Sequence, residues 1–316
     1  MAARANVPAG NPAPPHHTVL ALERDAHELA DRLPDLLIDA HRIAQTVSHG
    51  IHGRRRAGPG ETFWQFRQVQ PYDAAPLIDW RRSASSDHLF VREREWEAAH
   101  TMWLWPDLSP SMEFKSHLAT TTKRERALVL MLASAELLVR GGERVALIGQ
   151  TRPTASRKAT TRLIEAIAAS LGASHESLPV GTALSRFSGV ILFGDFLDPL
   201  PAIRERLDRL ASEGVEGHMV QVLDPAEETL PYEGRTEFLS PEGGERWIAD
   251  RAESLRPLYQ KKLAEHRAGL VELTRRLGWS FMVHHTDRPA SEPLLSLILR
   301  LHGDAGGYRW HGGGPA

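Results

Sequence analysis

The chain has 316 residues, which is enough for one large domain or for one domain with a smaller module attached. Its 38 lysines and arginines nearly balance its 40 acids, so the net charge of −2 predicts no overall attraction to nucleic acid or to an anionic membrane. The absence of cysteine excludes disulfides and cysteine nucleophiles, and no apolar run reaches the length of a membrane span. We therefore expect a cytoplasmic protein.

The N-terminal third has two parts. Residues 1–17 are rich in alanine and proline, which predicts a flexible tail. In the module predicted at residues 18–98, leucines at helical spacing are interrupted by Pro34, which predicts two helical pieces that reach about Ile51. The aromatic and polar residues that alternate after them predict a small β element.

From residue 99 onward, short apolar runs alternate with helical stretches. The predicted strands are 101–105, 144–148, 189–193, 218–223 and 279–283. The predicted helices are 123–139, 158–171, 201–212, 247–277 and about 293–302. This alternation predicts a doubly wound, mostly parallel α/β sheet domain over residues 99–303, with an insertion at about 224–246 and a flexible tail at 304–316.

Two of the predicted strands end in an aspartate. Asp107 follows the first strand and Asp195 follows the third, and ligands collect where the carboxyl ends of parallel strands meet. Ser109 and Ser111 would add hydroxyl oxygens, which gives an oxygen-only ligand set suited to Mg²⁺ or Mn²⁺. The alternative is that a serine of this D-x-S-x-S pattern only caps a helix. The metal interpretation needs a vacant position beside both acids, and it fails if a lysine is wedged into the gap between them.

The sequence resembles the domain of unknown function 58 family, whose members are von Willebrand factor A-like proteins often encoded beside MoxR-type AAA+ ATPases. The likeness covers about residues 50–303 and is carried by "FRQVQPYDAAPLIDWRRSASSDHLFVRERE", "DLSPSM", "FGDFLD" and "VLDPAEETLPYEG". The resemblance implies a von Willebrand A-type fold with a metal-ion-dependent adhesion site. Its ligands would be Asp107, Ser109, Ser111 and Asp195, completed by a threonine. Thr182 stands where that threonine is expected, and Thr151, Thr154 and Thr160 are alternatives.

A site of this kind works through a coordination position that the protein leaves open, which an acidic side chain of a partner can fill. We therefore predict a non-catalytic, Mg²⁺-dependent adaptor that acts with a MoxR-type AAA+ ATPase and an unknown client protein in the assembly or maturation of protein complexes. The alternatives are a metal-assisted phosphohydrolase and a purely structural α/β domain without metal. The sequence has no P-loop, dinucleotide-binding, zinc-protease or nucleophile-elbow motif, which disfavours those enzyme classes.

Overall fold

The computed structural model describes residues 16–52, 65–69, 78–84, 86, 88–93, 100–171, 173, 175–180, 184–186, 188–241 and 246–304. Thr182 and most of the two predicted tails lie outside these ranges. In chain order the helices and strands are α1 (His16–His52), β1 (Gln65–Gln68), α2 (Trp80–Ser83), β2 (Phe90–Glu93), β3 (Thr101–Pro106), α3 (Lys123–Arg140), β4 (Arg144–Leu147), α4 (Ala159–Ser170), β5 (Gly189–Gly194), α5 (Leu200–Ser212), β6 (Glu216–Leu223), α6 (Pro225–Thr229), β7 (Thr236–Leu239), β8 (Arg246–Ala249), α7 (Arg256–Arg276), β9 (Ser280–His285) and α8 (Ser291–Asp304).

The N-terminal helix α1 continues through Pro34, so the prediction of two helical pieces is wrong. A proline inside a helix costs about 3 kcal/mol. Burial of one large apolar side chain contributes about 1.5–3 kcal/mol, and several such side chains of α1 are almost fully buried. These are Leu29, Leu33, Leu36 and Val47. They pack against α3 and share one hydrophobic core with the main sheet, and this burial outweighs the local cost of the proline.

A small β element follows α1, in the region where the sequence predicts one. The strands β1 and β2 pair antiparallel, with Gln65 opposite Glu93. Between them lies the short helix α2, at whose start the Asp79 side chain accepts a hydrogen bond from the Arg82 N–H.

The main sheet contains the five strands that the apolar runs predict, and all its described strand pairs are parallel. Their order across the sheet is β4, β3, β5, β6 and β9. The chain first winds outward from β3 to β4 and then returns to the other side of β3 to form β5. The direction of winding therefore reverses between β3 and β5, which makes the gap between their carboxyl ends the topological switch point of the sheet.

Helices cover both faces of this sheet. Residues alternate between the faces along β3, so Met102 and Leu104 belong to one core while Trp103 and Trp105 pack against the other. The first core contains α1, α3, α4 and α8, and the second contains α5 and α7. The prediction of a doubly wound α/β domain with a mostly parallel sheet is confirmed at this level.

The predicted insertion contains α6 and a hairpin formed by β7 and β8. The helix predicted to begin at Trp247 begins only at Arg256, so that part of the prediction is wrong. Trp247 lies in β8 instead, where its ring stacks on Phe238 with the ring centres 5.7 Å apart. Pro257 in the first turn of α7 fits the later start, because proline is favoured at the beginning of a helix.

Candidate functional site

Three neighbouring strands of the sheet each end in a buried aspartate. Asp107 follows β3, Asp195 follows β5 and Asp224 follows β6. Each is at most 2% exposed. The first two aspartates, which the sequence singles out, flank the switch point. Asp224 lies beside them at the same edge, at the start of the predicted insertion.

Asp107 is held rigidly, but one of its carboxylate oxygens has no hydrogen-bond partner. Its N–H donates to the Phe193 carbonyl at 2.7 Å, and its Oδ1 accepts from the Ser109 N–H at 2.8 Å. Its Oδ2 is buried and without a partner. Burial, followed by the charge of Asp195, raises the pKa of Asp107 to about 8. The charge of Lys123 acts in the opposite direction but is outweighed by burial and by Asp195.

The two serine hydroxyls lie between the aspartates. The Ser109 and Ser111 Oγ atoms are 3.2 Å apart, and Ser111 Oγ donates to Asp195 Oδ2 at 2.8 Å. Ser109 precedes a short 3₁₀ helix, Pro110–Glu113, but its side chain makes no capping hydrogen bond. The hydroxyls therefore face each other and Asp195, and the helix-cap alternative is wrong for both serines.

The loop after β5 holds Asp195 in a strained turn. Phe196 has a φ of 49°, a left-handed conformation that costs a residue other than glycine about 1–3 kcal/mol. Burial of the Phe196 ring and a 2.7 Å hydrogen bond between the Phe196 carbonyl and the His266 ring hold the residue in this conformation. The Gln221 amide also donates to the Asp195 carbonyl at 2.8 Å. The position of Asp195 is thus fixed from both β6 and α7.

A buried lysine, which was not predicted from the sequence by its residue number, binds Asp195. Lys123, the first residue of α3, is 1% exposed, and its Nζ donates to Asp195 Oδ2 at 2.8 Å and to Glu227 Oε1 at 2.6 Å. Burial acts to lower the pKa of Lys123, but the carboxylates of Asp195 and Glu227 outweigh it, so the pKa lies above its ordinary value. The ammonium bridges Asp195 and Glu227, and its charge also acts on Asp107, although Asp107 Oδ2 has no hydrogen-bond partner. Lys123 therefore occupies the Asp195 side of the predicted vacancy, which counts against the metal interpretation there.

Glu227 and Asp224 form a second polar group, which the sequence analysis placed only in an insertion. Asp224 caps α6 by accepting from the Ala226 N–H, and Glu227 Oε2 accepts from the Asp224 N–H at 2.9 Å. Asp224 Oδ2 also accepts from the Ser116 N–H at 2.9 Å, which ties this group to the loop after β3. The signal that could have found Asp224 is the third occurrence of an apolar strand followed directly by an aspartate.

The oxygens around the switch point are the kind that a hard divalent ion prefers. They come from Asp107, Ser109, Ser111 and Asp195, and such an ion would keep several waters. Within the described part of the chain, no three histidine or acidic side chains are grouped to hold a metal, so hydroxyl ligands would be essential. Two of the three alternative threonines make local hydrogen bonds: Thr151 Oγ1 accepts from the Leu147 N–H and Thr154 Oγ1 from the Ser156 N–H. Thr182 lies outside the described residues.

The chain is similar to several proteins without a described function. It is 28% identical over 301 residues to the uncharacterized proteins Mb1516 of Mycobacterium bovis and MT1527 and Rv1480 of Mycobacterium tuberculosis, an alignment that covers 90% of this chain and 94% of each relative. None of the helices in the described ranges combines the length and apolar character that crossing a membrane requires.

Two solved structures are also similar, at low identity. One is the conserved hypothetical protein BatB from Bacteroides thetaiotaomicron, with a TM-score of 0.36, 14% identity, and coverage of 65% of this chain and 100% of that chain. The other is an aerotolerance-related membrane protein from Bacteroides fragilis, with a TM-score of 0.37, 16% identity, and coverage of 64% of this chain and 99% of that chain. The model of the family described as protein of unknown function DUF58 matches residues 65–269, which is more than half of the sequence. The chain therefore belongs to the DUF58 family.

Proposed function

We propose that this protein is a non-catalytic adaptor with a von Willebrand factor A-type docking site at the carboxyl edge of its sheet. In this proposal Asp107, Ser109, Ser111 and Asp195 hold a Mg²⁺ or Mn²⁺ ion, with Thr182 as the candidate fifth ligand. The protein leaves one coordination position of the ion open. An aspartate or glutamate of a partner fills it, and this contact is worth more in a partly dry interface than in water.

The observation that carries the proposal is the unpartnered Asp107 Oδ2. A buried carboxylate oxygen without a hydrogen bond is costly, and proteins keep such groups where an ion or ligand satisfies them. The Ser109 and Ser111 hydroxyls contact each other, and Ser111 contacts the Asp195 carboxylate, so these groups supply further oxygens at the same edge. The charge of Asp195 is close enough to raise the pKa of Asp107. When bound, the ion would supply an electrophilic position for the partner's acid.

The proposal is non-catalytic because a serine stands where a phosphohydrolase would place its acid/base carboxylate. A phosphohydrolase that uses Asp107 would need a carboxylate two residues later, and that residue is Ser109. The Glu227 carboxylate, which Lys123 links to Asp195, has both oxygens engaged, one by the ammonium and one by the Asp224 N–H.

The proposed partner follows from the family resemblance. We propose that a MoxR-type AAA+ ATPase binds this edge in the cytoplasm, and that the protein links the ATPase to a client complex during its assembly or maturation. An acidic side chain of the ATPase or of the client would reach the ion.

The test is a pull-down of a purified MoxR-type AAA+ ATPase from the source organism on the immobilised full chain. We expect recovery in Mg²⁺, loss in chelator, and loss in Ser109→Ala even with Mg²⁺. As a matched control we choose Ser212→Ala, because the Ser212 hydroxyl donates to the Arg209 carbonyl at the end of α5, before β6 begins. Equal recovery under all conditions would remove the docking proposal. Turnover of p-nitrophenyl phosphate that disappears in Asp195→Ala would support the metal-assisted phosphohydrolase instead.

A further inference from the structure

Lys123 is a buried cation at a position where a positive charge is unfavourable. It is the first residue of α3 after the Thr122 cap, where the helix dipole presents its positive end. Its side chain is almost completely buried, and a buried ammonium is tolerated only when it is paired. Acidic partners must therefore hold the lysine in place.

The ammonium and the candidate ion compete for one atom. Asp195 Oδ2 accepts hydrogen bonds from Lys123 Nζ and from Ser111 Oγ, both at 2.8 Å. A carboxylate oxygen has two lone pairs, and both are used in this arrangement. An ion between Ser111 and Asp195 would need this oxygen, and two cations at contact distance from one oxygen repel each other strongly.

The Lys123 ammonium can stay bound to Glu227 when it leaves Asp195. Lys123 Nζ already donates to Glu227 Oε1 at 2.6 Å. The other Glu227 oxygen is held by the Asp224 N–H in the capping box of α6, so this acid does not depend on the lysine for its position. The flexible four-carbon stem of a lysine lets its head group leave one acid while it keeps the other.

We propose that Lys123 is a built-in competitor of the divalent ion: it closes the site by binding Asp195 when no ion is present and withdraws to Glu227 when an ion binds. This inference rests on the proposed function. It deepens that function by assigning to Lys123 and Glu227 the regulation of ion affinity, although neither residue is an ion ligand.

The competition has two consequences. The site keeps a counter-charge at Asp195 without metal, so the edge of the sheet stays folded. The ion must also displace the ammonium, so the wild-type site binds it more weakly than its oxygens alone would allow. Removal of Glu227 should weaken ion binding further, because the displaced ammonium would then have no acid to receive it.

The test is titration of the full-length protein with Mn²⁺, with free Mn²⁺ measured by electron paramagnetic resonance. We expect Lys123→Met to bind Mn²⁺ at least about tenfold more tightly than wild type. We expect Glu227→Gln to bind it several-fold more weakly, and the double variant to resemble Lys123→Met. Lys115→Met is the matched control because it removes an exposed lysine from the segment that precedes α3, and it should leave the affinity unchanged.

The outcomes separate this inference from the proposed function. If Asp107→Asn abolishes Mn²⁺ binding while Lys123→Met binds as wild type does, or more weakly, the inference is wrong and the docking site stands. If neither wild type nor Lys123→Met binds Mn²⁺, both are wrong. If Lys123→Met does not fold, as judged by circular dichroism, Glu227→Gln decides: weaker binding supports the competition, and unchanged binding overturns it.

Discussion

The buried Asp107 carboxyl should make the metal-free protein less stable than a variant without that charge. Asp107→Asn keeps the acceptor that the Ser109 N–H uses and removes the ionisable group. In the unfolded chain the carboxyl has its ordinary pKa near 3.8, whereas burial and Asp195 raise the pKa in the folded chain to about 8. Between these two values the folded state binds more protons than the unfolded state. Wild-type stability should therefore fall as the pH rises from about 4 to 8.

The size of the effect follows from two opposing contributions. The raised pKa of Asp107 lowers the free energy of unfolding of wild type by about 1.36 kcal/mol for each pH unit above the ordinary pKa. At pH 7, about three units above that pKa, this amounts to a loss on the order of 4 kcal/mol. The new amide places N–H donors where Oδ2 has no partner, which costs the variant about 1–3 kcal/mol. In chelator at pH 7 we expect Asp107→Asn to be more stable than wild type by about 1–3 kcal/mol.

Urea unfolding followed by circular dichroism measures this difference. In chelator the advantage of Asp107→Asn should grow from about pH 5 to pH 8, whereas Mg²⁺ should stabilise wild type and leave the variant unchanged. Asp198→Asn is the matched control, because Asp198 lies in the loop after β5 and is less buried. A variant that is less stable than wild type at pH 8 in chelator, with a difference that does not depend on pH, would refute the reasoning.

Three further predictions concern the surroundings of the site. A Cβ at residue 194 would lie 3.2 Å from Asp107 Oδ2, so Gly194→Ala should lower the free energy of unfolding by about 1–3 kcal/mol and weaken Mn²⁺ binding. Gly189→Ala is the control: its Cβ would clash with the flexible Met102 side chain at the other end of β5, and Mn²⁺ binding should stay unchanged. Burial, followed by the charges of Arg126 and His285, lowers the pKa of His284 to about 3, so its contribution to stability is present above pH 6.5 and is lost on acidification. Urea unfolding should show that wild type loses about 2 kcal/mol more than His284→Gln between pH 6.5 and 5, and equal losses would contradict this. Leu33→Ala in α1 should lower the free energy of unfolding by about 2–5 kcal/mol in a single cooperative transition, because its side chain lies in the core of the sheet, and a separate early transition would show that α1 folds apart from it.

The sequence was sufficient to predict the sheet and the meeting of Asp107 with Asp195. The central strand β5 is buried on both faces, and a strand of this kind occurs as a short apolar run that is recognisable without tertiary information. The carboxyl ends of parallel strands share one edge, and a residue that follows each strand is therefore placed at that edge. The same reasoning placed the Ser109 and Ser111 hydroxyls at this edge, because these serines lie two and four residues after Asp107.

Lys123 could not be predicted by the same reasoning, because its partners are distant in the chain. Asp195 is 72 residues away and Glu227 is 104 residues away. A lysine at the start of a helix normally lies in solvent. The one local signal is its position in the first turn of α3, where the helix dipole disfavours a cation, which suggests that an acid compensates for it.

Two errors in secondary structure have the same origin. Pro34 predicts a break, but the burial of α1 against α3 decides its conformation. Trp247 fits a helical pattern, but stacking on Phe238 places it in a hairpin. In both places, contacts with residues elsewhere in the chain outweigh a local preference.

The most direct test of the cation site is anomalous diffraction from crystals of the full chain soaked in Mn²⁺. The account predicts one Mn²⁺ peak within coordination distance of Asp107 Oδ2, the Ser109 and Ser111 hydroxyls and Asp195, with the Lys123 ammonium moved away from Asp195 and bound to Glu227. A Mn²⁺-soaked crystal with no peak at this edge, and with Lys123 still on Asp195, would contradict it.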